Sequence, residues 1–310
     1  MKIAVVGTGG VGGYFGGRLA VAGEEVTFIA RGSHLEAMRA HGLRVSSYHG
    51  DFVVQPIEAT HDPSKVGPVD VVMVAVKLWD VEAMAEVIGP LLGAETAVIS
   101  FQNGVDAEEM LAARIGWEHV VGGIAYITAS IAGPGQIEQM GAAARLVVGE
   151  MDGHRSPRVE EFAAACQRAG IDIAVSADIQ KELWTKFVYI CALSGVTTLT
   201  RSTIGPIMND PDTRQLFQSC LEEVDAVARA KNVRLDADVV QRHLAWAEGL
   251  PPGARSSMLV DLERGNRLEV PWLNGTVARL GAELGVDTPT NRFIYRALKL
   301  RASGTPTTVP

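Results

Sequence analysis

KIAVVGTGGVGGYFGGRLAVAGEEVTFIAR, residues 2–31, passes from an apolar run through a cluster of glycines to a second apolar run. The first run predicts a strand over 2–6. Val11 onward has a helical pattern over 11–22 closed by Gly23, and a second strand follows over 26–30. GTGGVG fits G-x-G-x-x-G and falls where that weak pattern becomes informative, directly after a strand and opening a helix. Gly7 suits a tight turn, Gly9 lets backbone N–H groups approach a pyrophosphate, and Gly12 allows close packing of helix on strand. The helix N-terminus adds a favourable field for negative charge. On this reading Gly7, Thr8, Gly9, Gly10, Val11 and Gly12 hold a dinucleotide; the alternative is a glycine-rich turn without a ligand.

Arg31 stands where a unit specific for NAD would place a carboxylate on the free ribose 2′-hydroxyl. A guanidinium there complements a 2′-phosphate through its planar donor fork, so the expected cofactor is NADPH/NADP+. A solvated surface arginine is the competing reading. Glu24 and Glu25 lie at the opposite end of the strand and cannot serve the ribose.

The alternation continues outward. Residues 35–40 read as a helix, LRVSSYHGDFVVQP as two strands about a turn near Gly50, and the valine-rich run 69–76 as a strand buried on both faces. A helix over 81–92, a strand over 97–101 and a helix over 107–115 complete an α/β pattern, that of a Rossmann-type doubly wound sheet. Ligands of such sheets collect at the carboxyl ends of the strands. Lys77, ending VMVAVK, and Asn103, in ISFQNGV, are placed to face cofactor or an anionic substrate. A solvated lysine and an Asn-Gly turn are their simpler explanations.

Beyond residue 177 the pattern changes to helices over 179–194, 211–231, 237–248, 257–264, 273–284 and 291–301, with no convincing strand. The expected organisation is an NADP-binding domain over 1–177 and an all-helical substrate and catalytic domain over 178–310, ending in a frayed tail, SGTPTTVP. Between Leu183 and Val196, Lys186 is the one charged residue, and an ammonium in apolar surroundings is costly unless paired or put to use. Lys186, Ile190 and Ser194 share a helix face at i, i+4 and i+8. A lysine that packs its stem and snorkels to water is the alternative. Ser256 and Ser257 open a later helix, either as caps or presenting hydroxyls and the helix end to a carboxylate. Glu269 lies in a mostly apolar stretch, with Arg267 as its nearest candidate ion-pair partner.

Composition bounds the function. Hydrophobic residues make up 47% and charged residues 21%, as in a globular protein, and the net charge of −8 with scattered basic residues disfavours nucleic acid and anionic membrane as partners. Cys166, Cys191 and Cys220 are odd in number and far apart, which predicts reduced core thiols. No signal core or membrane span is expected, nor a metal site among the seven histidines, so the protein is expected to be cytoplasmic. The apolar helices of the second half would bury either an internal core or the face of a homodimer.

Taken in order, GTGGVG, VKLWDV, FQNGV, LWTKF and RSSMLVDLERGNRLEVPWLNG resemble the ketopantoate reductase (2-dehydropantoate 2-reductase) family over nearly the whole chain, to about Lys299. The resemblance implies NADPH-dependent reduction of a 2-oxo acid to a 2-hydroxy acid. It implies Lys186 as general acid at the ketone oxygen and Glu269 as its assistant. It further implies Ser257 and Asn103 as substrate contacts, Arg31 on the 2′-phosphate and Lys77 near the cofactor. Members that make pantoate usually carry asparagines four and eight residues after the lysine, on the substrate side. Here those positions hold Ile190 and Ser194, which points either to a divergent ketopantoate reductase or to a relative acting on a more apolar 2-oxo or 3-oxo acid. A protein that senses NADP(H) without turnover would need the glycines but not Lys186, Ser257 and Glu269.

Overall fold

The computed structural model describes residues 1–304, so all of the expected frayed tail except Ser303 and Gly304 lies outside the described residues. By internal contacts the chain forms two units, one of residues 1–102 and 107–180, the other of 103–106 and 181 onward.

The first unit opens as β1 (Lys2–Val6), α1 (Gly10–Val21), β2 (Glu25–Ile29) and α2 (Gly32–His41). Then come β3 (Leu43–Ser47), β4 (Phe52–Val54), β5 (Glu58–Thr60), β6 (Val71–Val74), α3 (Val81–Val87), β7 (Ala97–Ser100) and α4 (Ala107–Ile115). A long pair, β8 (Val120–Gly133) and β9 (Gln136–Glu150), precedes α5 (Pro157–Arg168) and β10 (Asp172–Val175). One mixed sheet runs β4-β3-β9-β8-β7-β6-β1-β2-β5, with β10 beside β9. Its centre is the parallel set expected from the valine-rich runs, with Ile3–Val6 of β1 in register between Val26–Ile29 of β2 and Val71–Val74 of β6. After β1 the chain builds one way through β2 and β5, then returns to the other side through β6 and β7. The switch point therefore falls between the ends of β1 and β6, where open α/β sheets bind ligands.

Val5, Phe15, Leu19 and Phe28 are fully buried between α1 and this sheet. Each such side chain contributes about 1.5–3 kcal/mol of burial. The expected elements of the first hundred residues are present, the helix predicted over 81–92 being a short α3 followed by a 3₁₀ turn at Gly89–Leu91. The antiparallel β8–β9 ribbon, β5, β10 and α5 were not predicted. The ribbon is rich in Gly, Ala, Ser and Thr and is broken by two register shifts, so its sequence shows no sustained alternation.

The second unit is helical, as expected: α6 (Ile179–Thr200), α7 (Ile204–Asn209), α8 (Pro211–Ala230), α9 (Val239–Glu248), α10 (Ser257–Glu263), α11 (Asn274–Leu284) and α12 (Pro289–Leu298). Only α7, six residues long, went unpredicted. α6 is apolar nearly all round, the mark of a helix enclosed by others. Phe187, Val188, Cys191, Val196, Phe217, Leu221, Val224, Val277 and Ile294 form its core. The helix ends at Arg201, whose φ is +51°, with Ser202 N–H donating to the Thr197 carbonyl at 3.2 Å. That is a Schellman termination with a side chain in the left-handed position.

Candidate functional site

In the first unit, Gly7, Gly9 and Gly12 of GTGGVG occupy three physically different positions. Gly7 has φ +95°, and a Cβ there would stand 2.7 Å from the Val76 nitrogen, at the switch point itself. A Cβ on Gly12 would strike the Gly7 carbonyl and come within 2.9 Å of Val5 Cγ1, so α1 lies on β1 only because Gly12 has no side chain. A Cβ on Gly9 would meet nothing within 4 Å; this residue faces open space. Gly9 is also the N-cap of α1 and supplies no capping side chain, which leaves the first-turn N–H groups of Gly10 and Val11 without a side-chain acceptor. Thr8 is buried and its hydroxyl donates to the Ile29 carbonyl at 3.3 Å, tying the loop to the end of β2. An open concavity of N–H donors at the positive end of a helix fits a pyrophosphate.

Arg31 stands two residues past the end of β2 and is the N-cap of α2. It is exposed, as are Gly32 and Ser33 in the first turn, and its Nη2 rests 3.3 Å from Met84 Sδ. Guanidinium and uncapped helix start together can take an anion. Nothing in the sequence singled out Gly32 and Ser33 at this helix start, although a small hydroxylic residue near the arginine was visible. Glu24 is engaged elsewhere, with Arg168 at 2.6 Å and the Met1 ammonium at 2.6 Å, and the hydrogen bond from that ammonium holds its carboxyl below the usual range. Lys77 is half-buried just past β6, with its ammonium 5.6 Å from the centre of the Trp79 ring. A further residue, Gln102, braces these strand ends. It is buried, donates from Nε2 to the carbonyls of Val74 and Val76 at 2.9 Å each, and accepts from Ser100 Oγ at 2.8 Å. Its polarity at the end of an apolar strand was the signal available.

In the second unit, α6 carries Lys186, Ile190 and Ser194 on one face of a single unbroken helix. Lys186 is half-buried by area, yet burial of its charged end pushes the ammonium down to about 8, while the Glu269 carboxylate nearby works in the opposite direction. Glu269 is 5% exposed. It sits in a tight turn before α11, where the N–H groups of Trp272 and Leu273 both donate to its carbonyl at 3.0 and 3.1 Å. Arg267 is exposed and lies over the Trp272 ring at 5.3 Å. Ile190 is half-buried, whereas Ser194 is 1% exposed and enclosed more deeply than its neighbour one turn before. Ser256 is the cap of α10, accepting from Leu259 N–H at 3.0 Å, and Ser257 in the first turn is exposed. Asn103 is half-buried beside Gly104. Asp106, closing the same segment, accepts from Thr276 Oγ1 and from Arg279 Nη2 at 2.9 Å. Among the described residues no group of three or more His, Cys, Asp or Glu could hold a metal ion, and no helix is long and apolar enough to cross a membrane.

A dinucleotide cradle at the switch point of a doubly wound sheet, joined in one chain to a helical unit with a desolvated lysine, defines an NAD(P)H-dependent oxidoreductase. The chain belongs to the ketopantoate reductase PanE/ApbA family: the family's model matches residues 3–153, and the model of its C-terminal part matches residues 178–302. A 2-dehydropantoate 2-reductase of Mesorhizobium japonicum is 32% identical, the match covering 94% of each chain. An uncharacterized oxidoreductase, YkpB, of Bacillus subtilis is 31% identical over 97% of this chain and 98% of its own. The crystal structure of a PanE/ApbA family ketopantoate reductase from Ralstonia eutropha superposes with a TM-score of 0.90 at 33% identity, over 97% of this chain and 98% of that one.

Proposed function

We propose that the protein reduces a 2-oxo acid to the 2-hydroxy acid with NADPH, and that 2-dehydropantoate (ketopantoate) is the first substrate to test. The observation that carries this reading is Lys186, an ammonium whose proton is held near neutrality by burial and opposed by Glu269. When bound, the nicotinamide supplies the hydride to the carbonyl carbon. Negative charge then builds on the ketone oxygen, and Lys186 stabilises it and donates the proton that completes the alcohol. Glu269 keeps Lys186 protonated and oriented. Ser257 and Asn103 offer hydroxyl and amide hydrogen bonds to the substrate, and Arg31 together with the start of α2 receives the 2′-phosphate. Gly7 to Gly12 hold the pyrophosphate, with Lys77 near the cofactor.

The substrate side of α6 favours a second form of the same reading. Ile190 is half-buried and cannot hydrogen-bond, and Ser194 is enclosed, so this face offers apolar bulk where a polar substrate would want an amide. A pocket that lacks a polar contact disfavours a hydroxyl-bearing substrate only modestly, by up to about 100-fold. The test is NADPH oxidation by the purified protein and by Ile190→Asn with ketopantoate and a panel of branched and aromatic 2-oxo acids. Ketopantoate turned over best by the wild type supports a place in pantothenate synthesis. Bulkier acids preferred by the wild type, with Ile190→Asn moving preference towards ketopantoate by about tenfold or more, support the apolar form. No turnover of any 2-oxo acid would sink both.

A further inference from the structure

The face of α6 that carries Lys186 continues beyond Ser194 to Thr197, eleven residues and about three turns further on. Thr197 is fully buried, and its hydroxyl lies 2.6 Å from the Leu193 carbonyl and 2.7 Å from Ser256 Oγ. Each hydroxyl has one proton, so the directions can be assigned. Thr197 donates to Leu193, an acceptor that cannot donate in return. Ser256 must then donate to Thr197, and its own oxygen accepts from Leu259 N–H at 3.0 Å. The chain Leu259 N–H, Ser256, Thr197, Leu193 C=O is thus complete, with Ser256 itself 2% exposed. A satisfied buried network of this kind is rigid, and it joins the Lys186 face to the first turn of α10, one residue from Ser257.

We propose that Thr197 and Ser256 are positioning residues: their hydrogen bond fixes Ser257 relative to the Lys186 face, so that substrate is held by Ser257 while its ketone oxygen meets the proton donor. This rests on the reading of Lys186 and Ser257 given above. Thr197→Val keeps the volume and leaves the Ser256–Leu259 cap in place, but it removes the acceptor that ties α10 to α6. The expected result is a rise of about tenfold in KM for the best 2-oxo acid, with kcat changed less than about threefold and NADPH affinity unchanged. Thr197→Ser restores KM to within about twofold of wild type. In a Ser257→Ala background, adding Thr197→Val changes KM by less than about twofold, because the group it positions is already gone.

An unchanged KM in Thr197→Val overturns the proposal. So does a full tenfold penalty that persists without Ser257, or a serine variant no better than the valine one. A wild type that reduces no 2-oxo acid overturns the functional reading and the positioning with it. An active wild type beside a silent Thr197→Val overturns the positioning alone.

Discussion

In the proposed reaction, the proton transfer falls to one side chain, Lys186. A lysine in water holds its proton to well above pH 10, too tightly for efficient transfer near neutrality. Burial lowers this one to about 8, and Glu269 limits the fall. Because the donor must be protonated in the free enzyme, kcat/KM for reduction should fall about tenfold per pH unit above about 8. Removing the opposing carboxylate in Glu269→Gln should move that limb to lower pH. A limb that stays in place in the variant would mean that Glu269 does not act on Lys186. The linkage to stability has a definite sign. The folded-state value lies below the ordinary lysine value of 10.5, so the cost of burying the charge is fully present below about 8 and is relieved as pH rises from there towards 10.5. From this residue alone, stability increases with pH across that window.

At the scale of elements, the proposed choice of NADPH rests on the junction of β2 and α2. Thr8 bonds to the last residue of β2, Arg31 follows two residues later, and α2 starts with exposed Gly32 and Ser33. Arg31→Asp places a carboxylate where the proposed 2′-phosphate lies, and should weaken NADPH by about 100-fold with little change for NADH. Equal losses for both cofactors, measured by fluorescence titration, would remove Arg31 from the phosphate. This junction was legible in sequence because it rests on local rules: strand, glycine turn, helix, strand, and a cation at a fixed offset. Lys186 was legible for a similar reason, being a charge within an apolar helix. The β8–β9 ribbon was not, since glycines and register shifts erase its period, and neither was which of Ser256 and Ser257 caps α10. The hydroxyl bonded to Ser256, on Thr197, lies 59 residues away, and no local pattern announces it. Gln102 was hidden by the same cause: its acceptors, Val74 and Val76, lie 28 and 26 residues earlier.

At the scale of the whole molecule, the proposed reaction draws on both units. The glycine turn, Arg31 and Lys77, proposed for the nucleotide, lie in the first; Lys186, Glu269 and Ser257, proposed for proton and substrate, lie in the second. The thiols lie in the cores, Cys166 in the first unit and Cys191 and Cys220 in the second. Cys166, Cys191 and Cys220 are free and fully buried, and burial pushes all three thiols well up, Cys166 to about 12, the mark of inert core residues. The most direct test of the account separates its two halves in one comparison. NADPH binding and NADPH oxidation would be measured on wild type and Lys186→Ala, with the best 2-oxo acid as substrate. The account predicts unchanged NADPH affinity and a kcat lower by about 10²–10⁴-fold in the variant. An undiminished kcat would contradict it, because the proton would then come from elsewhere.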